Sequence, residues 1–266
     1  APLDVRVNSL KATRSEVLAE LDRAGIGAVQ MRYSPDGLRL KEKVGLGSLP
    51  VYREGRIEVQ DEGSQLIARL LEPKRREMIC DFCAGAGGKT LAIGAMMRST
   101  GSLYAFDINA KRLDGMVPRL RRSGLDNVRR IAIRDEHDKR LGRLAGKFDR
   151  VLVDAPCSGT GTLRRNPDLR WRLSLEELAR INAVQASVIR SAARLVKQGG
   201  RLVYATCSVL EQENQAVVQA FLAEHPEFVL KSAPAILEAQ GVAFSPEEKA
   251  QSGDWFVMLP QRQDTD

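Results

Sequence analysis

Apolar positions recur along this chain with two different periods. Near the N-terminus Val5-Arg6-Val7 alternates as a strand does, and Val17, Leu18 and Leu21 then fall on one face of a helix capped by Thr13 or Ser15. Pro35-Asp36-Gly37 reads as a turn. The segment from Val59 to Leu71, with Leu66, Ile67, Leu70 and Leu71 at helical spacing, predicts a connecting helix ended by Glu72-Pro73. From Glu77 onward strands and helices alternate: a strand from Met78 to Phe82, a glycine-rich turn, a helix from Leu91 to Met97 and a strand from Ser102 to Phe106. A long polar helix from Lys111 to Ser123 follows, then strands at Val128 to Ile133 and Phe148 to Val153, a helix from Ser174 to Lys197 and a strand from Arg201 to Ala205. This order predicts an α/β fold whose mainly parallel sheet is covered on both faces. The chain divides into a small N-terminal α+β module, residues 1–58, and a larger α/β domain, residues 59–266.

Composition narrows the setting. With 266 residues, 43% of them hydrophobic, the chain can bury a substantial core. No apolar run approaches the roughly 20 residues that span a bilayer, and no signal peptide opens the chain, so a cytoplasmic protein without a membrane partner is expected, and a monomer. It begins Ala-Pro-Leu-Asp without an initiator Met and enters a strand at once, which predicts a piece of a longer protein. A formal charge of +7 points to a polyanionic partner, because Lys and Arg displace counterions from phosphates. Arg119, Arg121, Arg122, Arg129, Arg130 and Arg134 form one cluster, and Arg164, Arg165, Arg170 and Arg172 another. The first is read equally as a solvated face or as an RNA contact. Four cysteines are too few for a disulfide scaffold; Cys80-x-x-Cys83 has no second C-x-x-C to complete a zinc site, and two distant histidines, His137 and His225, supply neither a metal site nor a catalytic triad.

Chemistry enters at three strand ends. Asp81-Phe82-Cys83-Ala84-Gly85-Ala86-Gly87-Gly88-Lys89-Thr90 places small residues between a buried strand and a helix, where backbone approaches a ligand closely. Asp107, at the end of the next strand, is placed to accept hydrogen bonds from a ribose diol, so an adenosine-containing ligand is expected. A dinucleotide fingerprint would need a third Gly where Thr90 stands, and a P-loop would need a Gly where Cys83 stands. Asp154-Ala155-Pro156-Cys157-Ser158-Gly159 follows one later strand and Thr206-Cys207-Ser208 another. Ligands bind beyond the carboxyl ends of parallel strands, so both cysteines should face one substrate at the cofactor's mouth.

Together these motifs resemble the Nop/Sun, or RsmB-like, family of RNA 5-methylcytosine methyltransferases. The resemblance also takes in Val5-Arg6-Val7-Asn8, Val59-Gln60-Asp61-Glu62-Gly63-Ser64-Gln65, Leu163-Arg164-Arg165-Asn166-Pro167-Asp168 and Glu213-Asn214, and so spans nearly the whole chain. It implies a class I, Rossmann-like methyltransferase sheet, an N-terminal RNA-recognition-like module and S-adenosylmethionine as donor. By position it implies that Cys83, Ala84, Gly85, Ala86, Gly87, Gly88 and Lys89 surround the donor, that Asp107 takes its ribose hydroxyls, and that Asp135, or Asp138 in the same loop, lies near the adenine. Asp154 would sit between donor and base, Cys207 would be the nucleophile, and Cys157 would assist product release. Lys11, Arg164, Arg165 and Arg170 are the implied phosphate contacts, and Trp171 is either a stacking surface or a core residue. The partner RNA is expected to be ribosomal, with tRNA or a non-catalytic ribosome-assembly role as alternatives. One departure stands out: Gly85-Ala86 replaces the family's Ala-Pro, so the turn loses a fixed φ and becomes more permissive.

Overall fold

A computed structural model describes residues 2–171, 173–259 and 263. Alternation at the N-terminus produces β1 (Leu3–Val7), where Val5 and Val7 are buried against α1 (Arg14–Arg23) through Val17 and Leu21. Thr13, not Ser15, caps α1: its hydroxyl accepts the Glu16 N–H and the Glu16 carboxylate returns to the Thr13 N–H. β2 (Ala28–Gln30) and β3 (Gly37–Leu40) follow, then the short α2 (Pro50–Arg53) and β4 (Ile57–Val59), giving an antiparallel sheet in the order β2-β3-β1-β4. Val59 therefore lies in a strand paired with Val5, not in the connecting helix. That helix, α3 (Glu62–Leu70), starts only where the Asp61 carboxylate accepts the Gly63 N–H, so its cap rather than its apolar spacing sets the boundary.

The larger sheet contains β5 (Met78–Asp81), β6 (Ser102–Asp107), β7 (Val128–Ala132), β8 (Phe148–Asp154) and β9 (Val196–Ala205), all parallel, in the order β7-β6-β5-β8-β9. Its helices are α4 (Gly88–Met96), α5 (Ala110–Gly115), α6 (Val117–Ser123), α7 (Lys139–Gly142) and α8 (Leu175–Ala193), with α9 (Gln215–Glu224), α10 (Ala233–Glu238) and α11 (Pro246–Ser252) beyond the last strand. Successive side chains of a central strand face opposite layers. Ile79 packs with Leu71, Ile93 and Met97 below α3 and α4, while Cys80 packs with Phe148, Val151, Val188 and Ala192 on the α8 side. Full burial of an aliphatic side chain contributes about 1.5–3 kcal/mol, so these two layers hold the strand tips in place. The fold is Rossmann-like α/β, and among the described residues no helix is long and apolar enough to cross a membrane.

Two expected boundaries move. The helix from Lys111 to Ser123 is two helices, because Pro118 at the start of α6 has no N–H to continue α5. The helix expected to reach Lys197 ends at Ala193: Phe148 N–H bonds to the Leu195 carbonyl and Phe148 pairs with Val196, drawing the chain into the sheet. The two sheets are joined at a polar seam. Asn8 Nδ2 donates to the carbonyls of Gly55 and Ser123 at 2.9 and 3.0 Å, and buried Glu58 pairs with Arg119 and Arg122.

Candidate active site

β8 and β9 are parallel neighbours, and the Ala155 N–H extends their pairing to the Ala205 carbonyl at 2.8 Å. The loops that follow carry Cys157 and Cys207 to a sulfur–sulfur separation of 3.2 Å. Gly161 ties them further: its N–H donates to the Cys207 carbonyl at 2.9 Å, and an added Cβ there would stand 2.7 Å from that oxygen, so a glycine is needed for the approach. With Cys157 as donor, the hydrogen bond between the thiols holds Cys207 below the usual thiol range. The same bond, with burial and the charge on Cys207, pushes Cys157 well up. The pair is thus unequal, with Cys207 the sulfur that ionises first.

Asp154, the last residue of β8, accepts a hydrogen bond from Lys89 Nζ at 2.7 Å. Burial pulls the ammonium down, but the charge and hydrogen bond of Asp154 outweigh it and keep Lys89 above its ordinary range. Lys89 lies one residue into α4, so the glycine turn and the tip of β8 meet through this ion pair. The sequence placed Lys89 in the turn but gave no sign of its partner.

The turn itself requires glycine twice. Gly85 and Gly87 have φ of +55° and +89°, and a Cβ would approach Arg112 Nη2 to 2.7 Å at the first and Met116 Cγ to 2.5 Å at the second. Asp107 closes the turn from β6: one carboxylate oxygen accepts the Gly85 N–H at 2.7 Å and the other the Asn109 N–H at 2.8 Å. An ionised carboxylate has about four acceptor positions, so two remain for a pair of hydroxyls. Arg119 anchors the turn from outside, donating to the Ala86 carbonyl at 2.5 Å. The Ile133 N–H bonds to the Asp107 carbonyl and brings the loop after β7 to the same edge. There Asp138 is consumed as the cap of α7 and partner of Arg140, whose hydrogen bonds hold it well below the carboxylate range. Asp135 accepts from the His137 N–H and from Arg134 and stays partly exposed. Cys80 and Cys83 belong to the core side of the turn, and burial pushes both thiols up.

The basic residues divide differently from their order in the chain. Lys11 donates to the carbonyls of Glu54 and Arg122 at 2.8 and 2.6 Å, which leaves one of its three protons and makes it a tie across the seam. The first arginine cluster is not one surface patch: Arg119 and Arg122 serve Glu58, Arg129 lies over the Tyr104 ring, Arg130 donates to the Leu113 carbonyl and Arg134 to Asp135. Arg164, Arg165 and Arg170 are exposed on the segment that follows Cys157, and Arg172 lies outside the described residues. Trp171 is 77% exposed with the Arg170 guanidinium 4.6 Å from its ring centre, so it is not a core residue.

Comparison with known proteins agrees with this architecture. A ferredoxin-like domain of RsmF/B-like methyltransferases matches residues 1–46. The "Probable ribosomal RNA small subunit methyltransferase B" of Synechocystis is 39% identical over 85% of this chain and 51% of its own length; the chain spans about half the length of the curated relatives it matches. Among solved structures, PH0851 superposes with a TM-score of 0.86 at 32% identity, covering 99% of this chain and 57% of that one. A methyltransferase homologue from Pyrococcus horikoshii gives 0.74 at 30% identity, covering 84% and 70%. Residues 68–266, three quarters of the chain, match the model described as 16S rRNA methyltransferase RsmB/F, and the chain belongs to that family.

Proposed function

We propose that this chain carries the catalytic centre of an S-adenosylmethionine-dependent methyltransferase that forms 5-methylcytosine in ribosomal RNA. The observation that carries the proposal is the cysteine pair, 3.2 Å apart at neighbouring strand tips beside the Lys89–Asp154 ion pair. Methylation of a nitrogen or oxygen needs no thiol; cytosine C5 does, because it is too weak a nucleophile until the ring is activated at C6. The donor fits the two acceptor positions left on Asp107 at the edge of the glycine turn, with Asp135 toward the adenine. When bound, it supplies an electrophilic methyl group.

Cys207 attacks C6 as a thiolate: the S–C6 bond forms, the C5–C6 double bond opens and C5 becomes electron-rich. Asp154 hydrogen-bonds the N3/N4 edge of the base, and Lys89 on Asp154 offsets the charge that the attack puts on the ring. Once C5 carries the methyl group, Cys157 carries its proton away, the thiol passing its own proton to water as it takes up the C5 proton; the electron pair re-forms the C5–C6 double bond and Cys207 departs as thiolate. The target base must leave its stack to reach this site. Arg164, Arg165 and Arg170 are the phosphate contacts of the proposal and exposed Trp171 a stacking surface, with Lys11 contributing through the one donor that the seam leaves it. Nucleoside mass spectrometry of small-subunit ribosomal RNA treated with the protein and donor tests this. The expected product is 5-methylcytidine, absent with Cys207→Ala; a methyl group on any other atom overturns it.

A further inference from the structure

Glu213 has no solvent exposure, yet among the described residues its hydrogen-bond partners are neutral polar groups. One carboxylate oxygen accepts the Ser158 N–H at 2.8 Å and Gln185 Nε2 at 3.1 Å. The other accepts the Ser158 hydroxyl at 2.5 Å and the Ser208 hydroxyl. Ser158 directly follows Cys157 and Ser208 directly follows Cys207, so both cysteine loops hang on one side chain. A carboxylate in this arrangement only accepts, and that fixes the direction of each hydroxyl around it. The Ser208 proton goes to Glu213, leaving its oxygen to accept the Thr160 hydroxyl at 2.9 Å and the Leu210 N–H at 3.1 Å; Thr160 in turn accepts the Val209 N–H at 3.0 Å.

We infer that Glu213 is a positioning residue that aligns Cys157 and Cys207 with each other and with the target base. The inference rests on the reading of Cys207 as nucleophile. Glutamine at this position has the same shape but one acceptor and one donor. Turned one way, its NH2 meets the hydroxyls of Ser158 and Ser208, and the Ser208 oxygen already accepts two bonds; turned the other way, it meets two N–H donors. The first orientation unties the Cys207 loop at Ser208; the second keeps both hydroxyls bound but sets a donor against the Ser158 N–H and so displaces the Cys157 loop. The Gly161 N–H still holds the Cys207 carbonyl, so the loss falls on alignment rather than on the presence of the loop. A misplacement of about 1 Å at a reacting centre costs on the order of 100-fold in rate.

The test uses RNA carrying 5-fluorocytidine, whose C5 has no proton to lose, so that the Cys207–C6 bond survives once formed. Adduct formation is timed on denaturing gels over a range of RNA concentrations at saturating donor for the wild type, Glu213→Gln and Ser208→Ala, with donor affinity measured by calorimetry. Glu213→Gln is expected to slow adduct formation by about 30-fold or more, through kcat and not through KM for RNA, with donor affinity within about two-fold of wild type. Ser208→Ala, which removes one hydroxyl, is expected to slow it several-fold and decides the matter if Glu213→Gln does not fold. Unchanged adduct rates in these variants, or a loss confined to RNA or donor affinity, overturn the inference while leaving Cys207 as nucleophile. A wild type that forms no adduct overturns both.

Discussion

Asp81 ends β5 immediately before the glycine turn and is 1% exposed. One carboxyl oxygen accepts the Thr90 hydroxyl at 2.6 Å; the other has no hydrogen-bond partner among the described residues. Burial pushes this carboxyl from 3.8 up to about 7, against the opposing pull of Thr90. Because the folded value is raised, Asp81 supports the fold fully only below its unfolded value, and that support is lost as the pH rises toward about 7. At 1.36 kcal/mol for each factor of ten, the complete loss is about 4 kcal/mol, of which about 3 kcal/mol falls between about pH 5 and about pH 8. Asp81→Asn keeps the shape and the acceptor for Thr90 but cannot ionise. Unfolding a chain of this length carries an entropy of about 0.6 kcal/mol per degree, so about 3 kcal/mol corresponds to about 5 °C. Calorimetric melting of both proteins across this range is the assay, and the advantage of Asp81→Asn should widen by about 5 °C from the acid to the alkaline end. An advantage that stays constant with pH refutes the claim that burial keeps this carboxyl protonated.

Two further outcomes follow from the geometry. Cys157→Ala removes the donor that stabilises the Cys207 thiolate, so the pH profile for iodoacetamide alkylation of Cys207 should move upward, while Cys157→Ser, which retains a donor, should move it less; identical profiles would show that the thiols do not share a proton. Gly55→Ala should destabilise the protein by about 3 kcal/mol or more in denaturant titration, since φ there is +70° and the new Cβ would lie 1.9 Å from the Arg122 carbonyl; a loss under about 1 kcal/mol would mean that the seam yields easily.

What could be read from the residues was the rhythm of the sheet and the identity of its tips. Buried parallel strands announce themselves as short apolar runs, and turn residues beyond them mark the edge where a ligand sits, so Asp107, Asp154, Cys157 and Cys207 were legible by position. Interactions between distant segments were not. Lys89 looked like part of a glycine turn until the fold set it on Asp154, and nothing in the sequence showed that Lys11 spends two of its donors on the carbonyls of Glu54 and Arg122. The arginines from 119 to 134 are close in sequence but spread over α6, β7 and the loop beyond. Helical rotation and strand alternation send them to different partners. Glu213 was recognisable only as part of a motif, because its four donors come from three separate segments. Helix ends were misjudged where a cap or a proline, Asp61 or Pro118, outweighed apolar spacing.

The central claim is that the two cysteines have different tasks, Cys207 forming the bond to C6 and Cys157 serving its release. Incubating Cys157→Ala and Cys207→Ala with substrate RNA and S-adenosylmethionine, then resolving protein from RNA under denaturing conditions, tests this most directly. The account predicts a persistent covalent protein–RNA band with Cys157→Ala, and neither a band nor methylated product with Cys207→Ala. A band that accumulates with Cys207→Ala, or methyl transfer by that variant, would contradict it.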